Sequence, residues 1–331
     1  MTSRPGILIG VDVGTTTTSG GLVTPDGEIL KTTERLTQGD GPGTALQCLQ
    51  RVIGELIGAA QANQLAIEGI GVGLACMVDA EAGAIRKGIE RFPELAGFSL
   101  TERLHAETGR PVCIDNDVNA LALGEWKWGL GRGTSPMVVL AIGTGVGGGV
   151  VLDGRLLRGR SGTAGEFGHI SVDLGGRLCV CGARGCLGAY AAGYGIATEA
   201  AKRAGTPAPA TGPLPSGLDD PWSHDAEPVF RRAVEGDAIA RAIIAEACEA
   251  LGASLAGLVN GLNPELIVVT GGIVKSLVLW EQSIREHVAG FALAPALAET
   301  RIEFVPGHKS QTVRGGAALV LYEQSRRLAL R

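Results

Sequence analysis

The sequence predicts an α/β protein made of two related domains. Short β-branched segments alternate with longer stretches at helical spacing along the 331 residues, as is typical of this class. One pattern also occurs twice, from Val11 and from Leu140: a strand, a Gly-Thr turn, a second strand, an Asp-Gly hairpin and a third strand. The copies are too far apart for a solenoid, so they indicate two related domains that face each other.

The strands follow from these segments and from the turn residues that bound them. They are predicted at Ile7–Val13, Gly20–Thr24, Glu28–Glu34, Gly69–Ala75, Pro111–Ile114, Met137–Ile142, Gly147–Leu152, Leu266–Thr270 and Ile302–Val305. Apolar residues at helical spacing predict a helix over 44–64, one long helix or two consecutive ones over 227–262, and a C-terminal helix over 311–328. The stretch 205–221 is rich in Pro and Gly and is predicted to be a surface loop.

Composition and charge exclude several other classes of protein. Hydrophobic residues make up 45% of the chain and charged residues 19%, which allows a substantial core. The 52 glycines follow no triplet period, so the chain is not collagen-like. A net charge of −5 without a basic run gives no reason to expect nucleic-acid binding. Because the apolar runs are short and the N-terminus enters a strand directly, we expect a soluble, cytosolic protein without a membrane partner.

Two Gly-Thr turns are candidates for a polyphosphate site. A turn with few side chains lets backbone N–H groups approach an anion. Neither turn leads from a strand into a helix, which excludes the P-loop and Rossmann motifs. Tight hairpins alone would explain either turn, but the duplication argues for a shared role. The candidate residues are Asp12 (for Mg²⁺ through water), Gly14, Thr15, Thr16 and Thr17 in the first copy, and Gly143, Thr144, Gly145, Gly147, Gly148 and Gly149 in the second.

A third glycine turn, Gly271-Gly272, follows the apolar strand at Leu266–Thr270 and precedes a helical stretch. Such a strand-to-helix turn commonly accommodates the base or ribose of a nucleotide.

The segment Asp115-Asn116-Asp117 stands where a predicted strand ends and a helix begins. A carboxylate at this place, near a phosphate site, can accept a proton from a substrate hydroxyl while Asn116 binds a neighbouring hydroxyl. Helix N-capping is the alternative explanation, since both residue types cap well. One acid can cap while the other acts in catalysis.

Four residues predict a structural zinc site: His169, Cys179, Cys181 and Cys186. Three thiolates and an imidazole complete a tetrahedral shell and leave no open position, which also argues against a zinc hydrolase. A redox pair is the alternative, but the C-x-C spacing differs from C-x-x-C and would leave the third Cys and the His unexplained. The other four cysteines, which lie in apolar surroundings, are predicted to be buried: Cys48, Cys76, Cys113 and Cys248.

The chain resembles the ROK family of sugar kinases and repressors over nearly its whole length. Four segments, in chain order, carry the resemblance: DND, GTGVGGG, EFGH and CVCGARGC. The resemblance implies an α/β, ribonuclease H-like fold of the actin/hexokinase/Hsp70 ATPase type, with duplicated domains and a cleft between them. It also implies ATP-dependent phosphorylation of a hexose or amino sugar, and frequent homodimers. We expect a smaller N-terminal domain of residues 1–115 plus 311–331 and a larger domain of residues 116–310 that carries the zinc loop.

By the same resemblance, Asp117 matches the general base and Asn116 its sugar-binding neighbour. Glu166 and His169 match sugar contacts, with one ring nitrogen of His169 on zinc and the other facing the sugar. Gly97 falls in the sugar-side loop. The first phosphate motif matches Asp12, Gly14, Thr15 and Thr16, the second Gly143 to Gly147, and the nucleotide-side turn Gly271 and Gly272.

Three departures from the family pattern fall on the sugar side. Gly188 stands where the family usually has a Glu that contacts the sugar, Met77 replaces a small Gly, and the loop of Pro93 to Phe98 differs from the usual P-N-L-P-G-W. We therefore expect a sugar kinase for glucose-like hexoses first and N-acyl hexosamines second. The alternative is an inactive sugar-binding sensor. A repressor is not expected, because too few residues precede Asp12 for a DNA-binding domain.

Overall fold

The computed structural model describes residues 6–86, 92–205 and 225–329. Their strands are β1 Ile7–Val13, β2 Thr17–Val23, β3 Ile29–Leu36, β4 Ile67–Leu74, β5 Val78–Asp79, β6 Ala84–Ile85, β7 Val112–Asn116, β8 Met137–Ile142, β9 Val146–Leu152, β10 Arg155–Leu156, β11 Leu266–Gly271 and β12 Arg301–Pro306. Their helices are α1 Ala45–Ala62, α2 Leu100–Thr108, α3 Asp117–Trp128, α4 Gly188–Ala191, α5 Gly193–Arg203, α6 Glu227–Val234, α7 Ala238–Leu262, α8 Val274–Leu277, α9 Glu281–Phe291, α10 Ala294–Glu299 and α11 Lys309–Ala329.

The predicted strands are all present, with ends shifted by up to three residues. The stretch 227–262 forms two helices, α6 and α7, rather than one. Apart from Gly205, the predicted loop at 205–221 lies outside the described residues.

Two five-stranded sheets share one topology. The first has the order β3-β2-β1-β4-β7 and the second the order β10-β9-β8-β11-β12. Strands β1 and β2 are antiparallel, whereas β1, β4 and β7 are parallel, as are β8, β11 and β12. The sequence repeat is therefore confirmed as a structural duplication. The Asp-Gly hairpins close as predicted, with positive φ at Gly27, Asp153 and Gly154.

Helices cover the two faces of the first sheet. On one face, alternate residues of β1, including Ile9 and Val11, pack against α1. On the other face Leu8 packs against Val313 and Ala317 of α11. This second packing depends on glycine: a Cβ on Gly71 would lie 1.9 Å from the Gly316 carbonyl oxygen. Several glycines therefore serve close helix packing, a use that the sequence analysis did not foresee.

The chain divides into two compact units. Unit 1 comprises 1–133, 149–164 and 308–331, and unit 2 comprises 134–148 and 165–307; the division passes through β9. These limits differ from the expected domains of 1–115 plus 311–331 and of 116–310. Residues 116–133 belong to unit 1 because α3 packs along α11. Gly124 and Gly315 let these helices approach, since a Cβ on Gly124 would lie 2.9 Å from the Gly315 nitrogen.

Helix α7 is the core helix of unit 2. It is long and apolar enough to cross a membrane by length and composition, but 67% of its most apolar window is buried inside the protein. The sequence analysis, which expected only short apolar runs, did not foresee a helix this long and apolar, because scattered charged residues interrupt its apolar runs. Cys113 also departs from expectation: it is half-buried, whereas Cys48, Cys76 and Cys248 are buried. The reason is that β7 lies at a sheet edge.

Candidate active site

The first Gly-Thr turn joins β1 to β2 in unit 1. The Gly14 N–H donates to the Thr17 carbonyl oxygen at 3.0 Å, and the Thr37 hydroxyl donates to the Gly14 carbonyl oxygen at 2.7 Å. These bonds fix the turn while Thr15 stays half-buried and Thr16 exposed. The hydroxyls of both residues are therefore accessible, as a phosphate site requires.

Asp12 precedes this turn at the end of β1 and is only 7% exposed. Burial raises the pKa of its carboxyl above the ordinary value, and the nearby Lys309 and Thr312 partly oppose this shift. A buried carboxylate that keeps polar neighbours can hold a hydrated cation at the turn.

Lys309 is a residue of this site that the sequence analysis missed. Its Nζ donates to the Thr17 hydroxyl at 2.6 Å and lies 3.9 Å from the Glu34 carboxylate. The predicted helix began at 311, whereas α11 begins at Lys309 itself and so brings the ammonium group to the turn. A cation beside a phosphate turn can neutralise phosphate charge.

The acidic segment lies at the same edge of the first sheet. Asp12 pairs in register with Gly73 of β4, and Gly73 pairs with Asp115 of β7. A Cβ on Gly73 would lie 3.2 Å from the Asp117 Cα, so this glycine admits the start of α3 to the sheet. The carboxyl ends of three parallel strands thus gather Asp12, Asp115 and Asp117 in unit 1.

Asn116, rather than Asp117, caps helix α3. Asn116 is the N-cap of α3, and its side-chain oxygen accepts from the Val118 and Asn119 N–H groups; its amide nitrogen also donates to the Cys76 carbonyl oxygen at 3.3 Å. Asp117 occupies the first turn of α3 and is half-buried. Asn116 therefore explains the helix start, which leaves a catalytic role for Asp117 as a prediction.

Asp115 belongs to a buried ionic network that the sequence did not reveal. One carboxylate oxygen accepts from the Asn119 amide at 2.9 Å and from the Asn116 N–H at 2.8 Å. The other accepts from Arg158 Nε at 2.7 Å, and Arg158 also bonds Glu323 at 2.6 Å. Burial alone would lower the pKa of Arg158, but the two carboxylates raise it above its ordinary value. This network fixes the strand that precedes Asp117.

The second Gly-Thr turn and the double-glycine turn meet in unit 2. The Gly143 N–H donates to the Gly145 carbonyl oxygen at 2.9 Å and closes the turn after β8. Gly271 has a φ of +112°, and a Cβ there would lie 2.3 Å from the Ile142 carbonyl oxygen. Gly272 faces open space. Glycine at 271 thus lets β11 bring its turn against the end of β8, where a nucleotide would contact both.

The predicted metal ligands form one cluster in unit 2. The ligand atoms of His169, Cys179, Cys181 and Cys186 all lie within 4.8 Å of one another. The Sγ atoms of Cys181 and Cys186 are 3.7 Å apart, and His169 Nδ1 is 3.7 Å from the Cys179 Sγ. A tetrahedron with Zn–S bonds of about 2.3 Å separates its sulfurs by about 3.8 Å. The donor set and its spacing therefore fit Zn²⁺.

Electrostatics in this cluster favour the thiolate form of Cys179. Burial raises the pKa of the Cys179 thiol, but hydrogen bonds from His169, from the Cys181 backbone and from Tyr194 more than offset burial and lower the pKa below the ordinary value. A thiolate is the form that binds a metal. Because Nδ1 of His169 points to the cluster, Nε2 is the nitrogen left for another contact.

The remaining predicted sugar contacts are less well defined. Glu166 is half-buried and directly precedes the 3₁₀ turn Phe167–His169 in unit 2. Gly97, in unit 1, is exposed with a φ of +88° and open space around it. The predicted site residues are thus divided between the two compact units. Unit 1 contains Asp12 to Thr16, Gly97, Asn116 and Asp117, and unit 2 contains Gly143 to Gly147, Glu166, the metal cluster and Gly271-Gly272.

A cavity of about 720 Å³ occupies another part of unit 1, between α3, the β9–β10 hairpin and α11. Its described lining includes Trp126, Arg155 and Tyr322 but none of the predicted site residues. Its size alone therefore does not identify it as the active site.

Duplicated sheets of this order, with glycine turns at corresponding hairpins, define a two-domain protein of the ribonuclease H-like, actin/hexokinase class. Residues 8–323 match the ROK family, and the chain belongs to that family. The glucokinase of Thermotoga maritima is 34% identical over 314 residues, which cover 95% of this chain and 96% of the relative.

Solved structures agree with this membership. The ROK hexokinase of Thermus thermophilus superposes with a TM-score of 0.77 at 27% identity and covers 96% of this chain and 99% of its own. The ROK glucokinase of Streptomyces griseus, determined with glucose and AMPPNP, superposes with a TM-score of 0.72 at 29% identity, over 95% and 99% of the two chains.

Proposed function

We propose that this protein is an ATP-dependent sugar kinase that transfers the γ-phosphoryl group to a hydroxyl of a hexose. The observation that carries the proposal is the gathering of Asp12, the first Gly-Thr turn and Asp117 at one edge of the first sheet. The similarity to glucokinases over nearly the whole chain supports it.

Asp117 acts as the general base. Its carboxylate accepts the proton of the sugar hydroxyl as that oxygen attacks the γ-phosphorus, and the bond from phosphorus to the bridging oxygen of ADP breaks. The Asn116 amide nitrogen donates one proton to the Cys76 carbonyl oxygen, and its second proton would serve a neighbouring sugar hydroxyl. Since the protein adds little covalent chemistry in such a transfer, catalysis rests on positioning and charge neutralisation.

The phosphates are bound by the backbone N–H groups of the two Gly-Thr turns. In the first turn, the hydroxyls of Thr15 and Thr16 and the ammonium group of Lys309 add donors. When bound, Mg²⁺ neutralises phosphate charge, and Asp12 would hold it through water. Gly271 and Gly272 provide the surface for the nucleoside.

The metal cluster has a structural role. His169, Cys179, Cys181 and Cys186 would hold Zn²⁺, which closes a loop that would otherwise be loose. His169 then presents Nε2, with Glu166, to the sugar, and Gly97 of unit 1 is a further sugar contact in this proposal. Glucose-like hexoses are the first candidates as acceptors and N-acyl hexosamines the second.

Cellular location and assembly are part of the same proposal. A cluster of free thiols suits a reducing compartment, so we place the reaction in the cytoplasm. We also propose a homodimer, which light scattering after size exclusion tests directly.

The test is a coupled assay of ADP release with Mg²⁺-ATP and a panel of hexoses, amino sugars and polyols. We expect turnover on at least one hexose and its loss in Asp117→Asn, with sugar binding retained. Absence of turnover on the whole panel contradicts the proposal. Sugar binding by calorimetry without any turnover would instead favour the inactive sensor, which the missing side chain at Gly188 and the half-buried Met77 motivate.

A further inference from the structure

The start of helix α5 is bound to the second Gly-Thr turn. The Gly193 N–H donates to the Gly143 carbonyl oxygen at 2.9 Å, and the Tyr194 N–H donates to the Thr144 carbonyl oxygen at 3.3 Å. A Cβ on Gly193 would lie 3.3 Å from the Gly143 oxygen and 3.5 Å from the Thr144 Cα. Glycine therefore permits the approach, and α5 supports the turn from behind through two carbonyl groups.

The same helix start reaches the metal cluster. The Tyr194 hydroxyl lies 3.3 Å from the Cys179 Sγ, and the tyrosine is only 3% exposed. When Cys179 binds a metal as a thiolate, the phenol is the donor and the sulfur the acceptor of this hydrogen bond. Tyr194 is thus bonded to the phosphate turn through its backbone and to a metal ligand through its side chain.

Gly188 provides the space for this hydroxyl. A Cβ at 188 would lie 3.0 Å from the Tyr194 oxygen and 3.2 Å from the Gly168 carbonyl oxygen. From the other side, a Cβ on Gly195 would lie 2.5 Å from the Gly188 carbonyl oxygen. The missing side chain at 188 and the buried tyrosine at 194 therefore form one arrangement: a side chain at 188 would require the Tyr194 hydroxyl or the Gly168 carbonyl group to shift.

We propose that Tyr194 couples the metal cluster to the Gly143-Thr144 turn, so that zinc binding and nucleotide binding strengthen each other. The proposal rests on the proposed kinase function and its zinc site. Bound zinc fixes the Cys179 sulfur, the sulfur fixes the tyrosine, and the tyrosine backbone fixes the turn that binds phosphate. Tyr194 is a positioning residue, since it acts through Cys179 and Thr144. Coupling of this kind is reciprocal, so one factor must describe both directions.

Two measurements on the full-length zinc-loaded protein test the coupling. Calorimetry compares the affinity for AMPPNP with Mg²⁺ before and after zinc is removed by a chelator. Zinc release into a chromogenic chelator is then followed with and without AMPPNP. We expect the nucleotide to bind about 5- to 50-fold more tightly to the zinc-loaded protein, and the zinc affinity from the release data to rise by the same factor with AMPPNP.

The decisive variant is Tyr194→Phe, which keeps the ring and removes only the hydroxyl. We expect it to bind one zinc and the nucleotide with both coupling factors reduced to about 1. Tyr190→Phe is the matched control, because that hydroxyl bonds Asp173 and the Arg177 N–H rather than a cluster thiolate; its coupling stays at the wild-type value. Gly188→Ala should behave like Tyr194→Phe.

The possible results separate the coupling, the role of Tyr194 and the kinase function from one another. Equal nucleotide affinity with and without zinc in an active wild-type enzyme overturns the coupling and leaves the kinase proposal intact. Wild-type coupling in Tyr194→Phe overturns the role of the tyrosine, and a protein that holds no zinc overturns the coupling and the zinc site together. If removal of zinc unfolds the protein, the equilibrium competition for zinc between the protein and the chelator, with and without AMPPNP, is compared in the wild type and in Tyr194→Phe, and an equal effect of AMPPNP in both overturns the role of the tyrosine.

Discussion

Removal of Arg158 gives a sharp test of how unit 1 positions Asp117. The side chains of Asp115, Arg158 and Glu323 are 3%, 14% and 15% exposed. In Arg158→Met the Asp115 carboxylate stays buried without a cation. Breaking a buried ion pair from one side costs about 3 to 5 kcal/mol, which corresponds to a fall in Tm of about 6 to 20 °C for a domain of this size.

The partner variant should be milder. In Asp115→Asn the guanidinium keeps Glu323, and the new amide oxygen can still accept from Asn119, so we expect a loss of only about 1 to 2 kcal/mol. The double variant removes the unpaired charge at Asp115, and Glu323 keeps Arg326 at 3.5 Å. We therefore expect it to be more stable than Arg158→Met alone by about 1 to 3 kcal/mol.

Urea unfolding and thermal scans of the four proteins measure these differences, and kcat is measured alongside. Because Asp115 bonds the Asn116 N–H, kcat should fall in Arg158→Met and recover in part in the double variant, while zinc content stays constant. A cost below about 1 kcal/mol for Arg158→Met, or a double variant less stable than the single one, would refute the reasoning.

Four further predictions concern the turns and the cluster. Asp117→Asn should lower kcat by about 10²- to 10⁴-fold with little change in sugar affinity; a loss below tenfold would mean that another group takes the proton. Cys181→Ser should speed zinc loss into a chelator and lower activity with it, and unchanged metal content and turnover would contradict a structural role. Gly271→Ala should weaken nucleotide binding and lower Tm, because its Cβ would meet the Ile142 carbonyl oxygen at 2.3 Å and its φ is +112°; Gly257→Ala in α7, where the added Cβ faces open space, is the control. Asp12→Asn should raise the Tm of the nucleotide-free protein at pH 7. Burial raises the pKa of the Asp12 carboxyl, so above that pKa the ionised carboxylate destabilises the folded protein, and an Asn side chain avoids this cost. The gain in Tm should shrink as the pH falls toward 3.8, the ordinary pKa of the carboxyl.

The sequence predicted the sheets and the metal cluster well because both leave local signals. Alternating β-branched segments and Asp-Gly hairpins are recognised within a few residues, and the four predicted metal ligands lie in one short segment. Lys309 and Arg158 gave no such signal, since their partners Thr17, Asp115 and Glu323 are distant in sequence and meet only in the fold. The role of Tyr194 was not predicted for the same reason.

The limits of the two compact units also depend on contacts between residues that are distant in sequence. Helix α3 follows β7 directly, and nothing in its own sequence shows that its partner is α11. The glycines that permit this packing, such as Gly124 and Gly315, are indistinguishable in sequence from turn glycines. Pairing between distant helices is a property of the three-dimensional arrangement, so it remained open until the structure was known.

The links between equivalent strands of the two matching sheets differ greatly in length. The link from β3 to β4 holds about 30 residues and one α-helix, whereas the equivalent link from β10 to β11 holds about 110. The metal cluster, α5 and Glu166 all lie in that longer link. The length difference between the two halves of the chain is therefore concentrated in one link, which also carries the predicted zinc ligands, while the strands and Gly-Thr turns on either side of it keep the same order.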